Sequence, residues 1–374
     1  MVKILIKDAT IFTLSNRHDL LIDKGYVFIK DGTVAGVGKG EPPEDLQYPE
    51  LLINGSGRLV MPGLSSAITS VTLYPLRYRL GGISWSDVGD YLSILTRTDV
   101  YYLAALTFVE LVTRGVSSVM VADIYLDNVA RAASDVGIYA TLAVPFDCGI
   151  KDFNPENELN LLINRWHGKV EGIKAAILTC REDNERVYSL ARELGIKVFV
   201  LKPSSTKVLK YSNVVCINPA EGGGVGVVRF GDELSRWAPD EGLGIGVRSS
   251  YSMLDVVREV TWRTGKHPLD VLVSSTLINA SLIGFDNLGA IDVGSRANIV
   301  MFNMSEPPGW PIPSNINSIV KAVVEGDLRV ESLIINDDVV VDAGETLNVG
   351  ADLIKKAVSR LEPVIKKYYA LGGG

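Results

Sequence analysis

Two kinds of hydrophobic pattern divide the chain into regions. Residues 1–59 carry short β-rich runs separated by turn residues, and Asp31-Gly32 between two of these runs is a hairpin signal. The same pattern returns over residues 287–350. Each piece alone is too short to bury a core. The pattern therefore predicts one composite β domain, similar to a β-sandwich, built from both ends of the chain.

Residues 60–286 alternate short apolar runs with segments of helical periodicity, which is typical of βα units around a parallel sheet. The clearest helix is predicted to start after Thr98, a favourable N-cap, and to stop at Gly115. About seven strand candidates can be counted, close to the eight of a TIM barrel. We predict an α/β fold with a TIM-like (β/α) barrel over 60–286, followed by a C-terminal helix and flexible tail over 351–374.

Composition and charge exclude several classes of partner. The chain has 374 residues and a net charge of -7, which argues against binding to nucleic acid or to an anionic membrane surface. No apolar run approaches the roughly 18 residues that a membrane span needs. The three cysteines, Cys148, Cys180 and Cys216, have no CxxC spacing, so we expect buried thiols in a reducing cytoplasm and not a disulfide framework.

Several segments resemble a known family and occur in that family's order. They are ILIKDATIFTL, GRLVMPGLSSAITS, RTDVYYLAALTFVELVTRGVSSVMVADIYLDNVARAASDVGIYA, SSTLINASLIGFDNLGAIDVGSRANIVMFN and SLIINDDVVVDAGETL. On these segments the chain resembles the amidohydrolase superfamily, in particular the branch of S-adenosylhomocysteine/methylthioadenosine deaminases and chlorohydrolases. The resemblance implies a TIM barrel and a divalent metal at the carboxyl ends of its strands, where the metal activates water to attack a C–N or C–Cl bond.

The resemblance also locates the family's metal ligands, and this chain lacks them. Ile68 and Ser70 stand where relatives carry His-x-His, and Ala175 stands where another strand carries a histidine. Arg248 replaces the aspartate of a Gly-Thr-Asp segment. Isoleucine, alanine and arginine offer a divalent cation no ligand. We therefore predict no metal and no cofactor.

Two further observations support that prediction. The histidines of the chain, His18, His167 and His267, fall at none of the ligand positions and are expected in surface or turn environments. The link from Lys202 to Cys216 is too short for the βα unit that relatives place there. The resemblance thus predicts that one βα unit is missing and leaves open whether the barrel is complete.

Polar residues near the predicted strand ends remain candidates for a pocket or an anion-binding site. They are Ser70, Asp123, Lys202, Glu221 and Arg248. One interpretation is that Arg248 and Lys202 act as fixed cations in the former metal cavity and bind an anionic ligand. The alternative is an internal ion pair of Arg248 with Asp123 or Glu221. Asp123 is equally expected to cap the helix that follows it.

The aromatic residues Tyr74, Trp85 and Tyr91 have two interpretations as well. They lie in the segment where relatives form a substrate-covering loop, so they are expected either to line a pocket or to pack in the core. No catalytic residue can be assigned from the sequence.

Two functional hypotheses follow. The first is a catalytically degenerate homologue of hydrolases of non-peptide C–N bonds, with a scaffold, ligand-binding or regulatory role. The second is an active hydrolase or deaminase-like enzyme with a metal-free site at the end of the barrel. The missing ligands favour the first. Expected partners are a small-molecule or anionic ligand and further copies of this chain, with no nucleic acid and no membrane.

Overall fold

The computed structural model describes residues 2–78 and 89–370. Trp85 and the predicted tail residues 371–374 lie outside this range. The strands, numbered along the chain, are β1 (Lys3–Phe12), β2 (Leu21–Lys30), β3 (Thr33–Lys39), β4 (Leu51–Asn54), β5 (Arg58–Pro62), β6 (Leu64–Thr69), β7 (Val116–Ala122), β8 (Tyr139–Phe146), β9 (Ile173–Thr179), β10 (Lys197–Leu201), β11 (Val214–Ile217), β12 (Val227–Arg229), β13 (Gly242–Leu243), β14 (Asn298–Asn303), β15 (Val330–Ile335), β16 (Asp338–Asp342) and β17 (Glu345–Thr346).

The helices lie mainly between the barrel strands and at the C-terminal end of the described chain. They are α1 (Gly89–Ile94), α2 (Arg97–Thr113), α3 (Leu126–Val136), α4 (Pro155–Arg165), α5 (Glu185–Leu194), α6 (Met253–Thr264), α7 (Pro268–Val273), α8 (Asn279–Leu282), α9 (Ile316–Glu325) and α10 (Ala351–Ala370). None of the described helices is long and apolar enough to cross a membrane.

Strands from both ends of the chain form one sheet. Its order is β17-β16-β15-β14-β5-β1-β2-β3, with β4 beside β1, so the seam between the two chain ends is the antiparallel pair β5–β14. Alternation along β14 directs Ile299 and Met301 into the core of the β domain, and Val300 and Phe302 into the core shared with the barrel. The predicted β domain of both termini is therefore confirmed.

The second sheet is the predicted barrel. Its eight parallel strands run in the order β13-β12-β11-β10-β9-β8-β7-β6, and a bridge between Thr69 and Gly246 brings the last strand back beside the first. The Gly246 amide donates to the carbonyl of Ile68 at 2.9 Å. The count of seven strands from the sequence missed β12. The short link after Lys202 lacks an α-helix but no strand is missing. β10 and β11 are joined only through a 3-10 helix at Thr206–Lys210.

A buried asparagine completes the barrel seam. The Asn279 side chain accepts a hydrogen bond from the Leu243 amide at 2.7 Å and donates to the carbonyls of Ser65 and Leu243 at 2.6 and 2.8 Å. Asn279 directly follows a π-helical turn, Ser274–Ile278, which continues from α7. The amide group thus substitutes for backbone pairing where β6 and β13 are not directly bonded.

The N-cap of α2 lies two residues before the predicted one. Thr96 caps the helix, because its hydroxyl accepts from the Asp99 amide while the Asp99 carboxylate accepts from the Thr96 amide at 2.8 Å. This reciprocal capping box satisfies two helix-end amides, which a cap at Thr98 alone would not do. At the other end, Gly115 has φ 81°, so the predicted stop is confirmed.

Candidate functional site

The carboxyl ends of the parallel strands meet at one end of the barrel, here called the mouth. The residues that directly follow strands β6 to β12 at this end are Ser70, Asp123, Asp147, Cys180, Lys202, Asn218 and Phe230. Arg248 follows the closing bridge at Gly246. The chain thus brings four of the five predicted candidates to the mouth, and Glu221 lies in the loop after β11.

Asp123 is the most heavily bonded side chain of the mouth. It is fully buried, and its carboxylate accepts from the Ser70 hydroxyl and from the amides of Val71 and Thr72, each at 3.0 Å. The Thr72 hydroxyl and the Ile124 amide also donate to it. Burial raises the pKa of Asp123, although these hydrogen bonds oppose the shift. Asp123 therefore clamps the loop after β6.

The alternative that Asp123 caps the next helix is wrong. The N-cap of α3 is Tyr125, which has φ 51° and makes no side-chain cap. The Asp123 carboxylate is directed instead toward the neighbouring strand end, where buried amides would otherwise lack acceptors.

Two tyrosines fix the same loop from the other side. The Tyr91 hydroxyl donates to the Thr72 carbonyl at 2.9 Å, and the Tyr251 hydroxyl donates to the Ser70 carbonyl at 3.0 Å. Both rings are fully buried. Burial raises the pKa of both phenols, and the nearby Asp123 carboxylate adds to the shift. Tyr91 is thus a core residue, as one of its two interpretations expected.

Glu110 on α2 binds the next residues of this loop, Tyr74 and Arg77, through hydrogen bonds. Its carboxylate accepts from the Tyr74 hydroxyl at 2.6 Å, from the Arg77 guanidinium and from the Tyr251 amide at 3.3 Å. Burial acts to raise the pKa of Glu110, but the hydrogen bonds from Tyr74 and Arg77 outweigh it and hold that pKa below its ordinary value. Tyr74 consequently belongs to a structural cluster and is half-buried.

At three of the positions where relatives carry metal ligands, the residues of this chain make contacts within the protein. Ile68 packs closely on Gly244. A Cβ atom added to Gly244 would lie 2.3 Å from the Cγ2 atom of Ile68. The Ser70 hydroxyl is bonded to Asp123. Ala175 is the third residue of β9 and lies well before the mouth end of that strand. Its amide donates to Nδ1 of His167 at 3.0 Å.

The histidines have local partners away from the mouth residues. Burial lowers the pKa of His167, and the neighbouring Lys174 adds to the shift. The His267 side chain accepts from the Leu269 amide at the start of α7. His18 has its Nε2 atom 3.8 Å from the Asp292 carboxylate.

Arg248 pairs with Glu259 on α6, and Glu259 also pairs with Arg263 at 2.7 Å. The Arg248 and Glu259 side chains are each 22% exposed. The expectation of an internal ion pair with Asp123 or Glu221 is wrong in its partner, because the guanidinium reaches the helix that follows the last strand. Lys202 is exposed and its ammonium makes no ion pair with any described residue.

Glu221 is exposed as well, but the glycine-rich loop that it begins surrounds a buried ion pair. Arg229 and Glu241 are 2% and 1% exposed and are joined by hydrogen bonds of 3.1 and 3.2 Å. Arg229 also donates to the carbonyls of Pro219 and Gly222. Sequence reasoning missed this pair, because its members lie in segments that read as loops.

The cysteine prediction needs correction. Cys148 and Cys180 form a disulfide between the loops that follow β8 and β9, and only Cys216 is a free, buried thiol. The prediction failed because β8 and β9 are neighbours in the barrel, which brings together two residues 32 positions apart. Only the strand order, and no spacing rule, could have indicated the pairing.

The donor set of the mouth does not fit a divalent metal. Within residues 2–78 and 89–370, no three His, Cys, Asp or Glu side chains are grouped so that they could hold a metal ion. Among the described residues that directly follow a barrel strand, the one buried carboxylate is Asp123, and it already accepts from five protein donors.

A cleft of about 650 Å³ lies elsewhere, between the barrel and the β domain. The end of α2, the start of α6 and the segments 303–308, 327–331 and 343–344 line it. Its arginines and carboxylates are mixed, so the lining favours no single ligand charge.

Known proteins share this architecture and part of the sequence. No family model matches the chain. The 5-methylthioadenosine/S-adenosylhomocysteine deaminase of Thermoanaerobacter pseudethanolicus is 21% identical over 430 aligned positions, covering 96% of this chain and 98% of the relative. The enzyme of the same name from Dictyoglomus turgidum is 24% identical over 442 positions, covering 98% and 100%. Over almost its whole length the chain is therefore similar to deaminases of the amidohydrolase superfamily.

Solved structures agree with this amidohydrolase fold. An adenosine deaminase from Xanthomonas campestris with bound zinc has a TM-score of 0.81 at 16% identity, covering 98% of this chain and 99% of that one. Atrazine chlorohydrolase from Arthrobacter aurescens TC1, complexed with zinc, has a TM-score of 0.78 at 14% identity, covering 97% and 100%. The alignment with the first deaminase spans 430 positions and this chain has 374 residues, so gaps fall in this chain, in keeping with the short link between β10 and β11.

Proposed function

We propose that this amidohydrolase-superfamily protein has lost the metal-dependent hydrolysis of C–N bonds and serves as a non-catalytic scaffold with a binding or regulatory role. The observation that carries the proposal is the state of the ligand positions at the mouth. Ile68, Ser70 and Arg248 replace the family's ligands, and each is used in contacts within the protein.

The chemistry of these side chains supports the proposal. Ile68 has no lone pair, and the Ser70 hydroxyl is already held by the buried Asp123 carboxylate. Arg248 carries a permanent positive charge, which repels a divalent cation. A metal at this place would require neutral imidazoles and a free carboxylate.

The loop after β6 supports a structural role for the mouth. Asp123, Tyr91 and Tyr251 hold that loop from two sides through buried hydrogen bonds. In relatives with the metal, ligand bonds would anchor this strand end. Here a carboxylate and two phenols provide the anchoring, so the fold keeps its shape without the reaction.

A turnover assay tests the proposal. The purified chain is incubated with adenosine, 5-methylthioadenosine or S-adenosylhomocysteine, with and without added zinc, manganese or ferrous iron, and released ammonia is measured. The deaminase of Thermoanaerobacter pseudethanolicus serves as the positive control. We expect no ammonia above the blank under any of these conditions.

Two other results would have distinct meanings. Metal-dependent ammonia release that a chelator abolishes would contradict the proposal. Ammonia release that is unaffected by chelators would favour the second hypothesis, a hydrolase with a metal-free site.

A further inference from the structure

The loop between β8 and α4, residues 147–154, is attached differently from the other loops of the mouth. None of the backbone amides of residues 147–153 donates a hydrogen bond to the backbone of a neighbouring described strand, helix or loop, and residues 151–152 only form a turn within the loop. Apart from the disulfide, the one hydrogen bond that the described residues form between this loop and the loop after β9 runs from the Asn184 side chain to Asp147 at 2.6 Å. Ile150 and Phe153 add partly buried apolar contacts.

Two other loops at the mouth, those after β6 and β10, contain no residue of the disulfide and are held by hydrogen bonds. The loop after β6 is bonded to Asp123, Tyr91 and Tyr251. The loop after β10 is attached through the hydroxyl and amide of Ser204, which donate to Glu182 at 2.7 and 2.8 Å. The contrast indicates that the Cys148–Cys180 bond is the principal restraint on residues 147–154.

The two bonded cysteines are also open to reagents in a way that the third is not. Cys148 and Cys180 are only partly buried, and the loop residues Lys151 and Asp152 are exposed. Cys216 is fully buried in β11, and burial raises the pKa of its thiol to about 12. A small thiol can therefore reach the disulfide while Cys216 stays unreactive, which gives the chain an internal control.

We propose that Cys148 and Cys180 form a reversible redox cross-link that fastens the loop 147–154 at the barrel mouth, with a low-molecular-weight thiol such as glutathione as co-reactant. A glutathione thiolate attacks one sulfur, which breaks the protein disulfide and forms a mixed disulfide. A second glutathione attacks the mixed disulfide and releases the second cysteine. Two glutathione thiols are oxidised to one glutathione disulfide, and the protein disulfide is reduced to two thiols. Excess glutathione disulfide reverses both steps.

This inference does not depend on the proposed loss of hydrolysis. It concerns the mobility of one mouth loop, and it holds or fails whether or not the chain turns over a substrate.

The first test measures reduction in the native state. The folded protein is incubated with millimolar reduced glutathione, quenched with iodoacetamide and analysed by intact mass. We expect alkylation at Cys148 and Cys180 only, with Cys216 modified only after unfolding in urea. Re-oxidation with glutathione disulfide should restore the unmodified mass. Absence of the disulfide in the starting protein, or its reduction only after unfolding, would overturn the proposal.

The second test measures the loop itself by limited trypsin digestion. The variant C148S/C180S should be cleaved after Lys151 about tenfold faster or more than the oxidised wild type, because removal of the cross-link makes local opening of the loop easier. Cleavage after Lys207 serves as the matched control, since that exposed lysine lies in the 3-10 helix between β10 and β11, a segment that carries neither cysteine of the cross-link. Equal cleavage rates after Lys151 in both proteins, or an equal acceleration after Lys207, would contradict the proposal.

Discussion

Replacement of Arg229 by methionine should destabilise the protein strongly, because Glu241 would then be a buried carboxylate without its cation. The native guanidinium makes two hydrogen bonds to Glu241, of 3.1 and 3.2 Å, and two more to the carbonyls of Pro219 and Gly222. Methionine fills similar volume and supplies none of these donors. Glu241 would keep only the amides of Gly224 and Ala238.

The magnitude follows from the burial of the pair. Arg229 and Glu241 are 2% and 1% exposed, so solvent can compensate neither charge. Removal of one partner of such a pair costs about 3–5 kcal/mol, most of it for the uncompensated charge. Arg229→Met combined with Glu241→Gln removes both charges and should cost less than Arg229→Met alone, by about 1–3 kcal/mol.

The assay is equilibrium unfolding in urea, followed by circular dichroism and tryptophan fluorescence. Trp237 is a local reporter, since its buried indole donates to the Glu241 carbonyl at 3.0 Å. Arg236→Met is the matched control, because Arg236 is 44% exposed and its ion pair should contribute about 0–1 kcal/mol. If Arg229→Met costs no more than Arg236→Met, or if the double variant is the less stable of the two, the reasoning is refuted.

Three further predictions use the same unfolding assay. Asp123→Ala should cost about 3–5 kcal/mol, because buried donors lose their acceptor, and a loss under about 1 kcal/mol would contradict the clamp. Arg248→Ala should cost only about 0–1 kcal/mol, because its pair with Glu259 is partly exposed, and a cost above about 3 kcal/mol would show a buried pair. Glu110 has a lowered folded pKa, so its contribution is present above its ordinary value of 4.5 and disappears as pH falls through the folded pKa. On acidification the melting temperature of Glu110→Gln should therefore fall less than that of the wild type. Parallel plots of melting temperature against pH for the two proteins would contradict this.

Features governed by local chemistry could be predicted from the sequence. Asp31 and Gly32 form the predicted hairpin turn with φ of 49° and 72°, conformations that the residue types favour. Gly137 and Gly195 end helices in the left-handed region with φ of 90° and 65°. The barrel and the composite β domain followed because hydrophobic periodicity reports which faces are buried.

Features governed by non-local contacts could not be predicted. The strand β12 has only three residues and follows a glycine-rich segment, so its pairing between β11 and β13 supplies the signal that its own sequence lacks. The partner of Arg248 was misjudged because Glu259 approaches only through the packing of α6. The Cys148–Cys180 bond depends on strand order in the same way.

Metal binding is the direct test of the proposal that the mouth has lost its metal site. The purified chain is dialysed against zinc, freed of excess metal and measured by elemental analysis and thermal unfolding, before and after treatment with a chelator. We expect far less than one metal per chain and a melting temperature that the chelator does not change. About one zinc per chain, removable by the chelator with a clear fall in melting temperature, would contradict it.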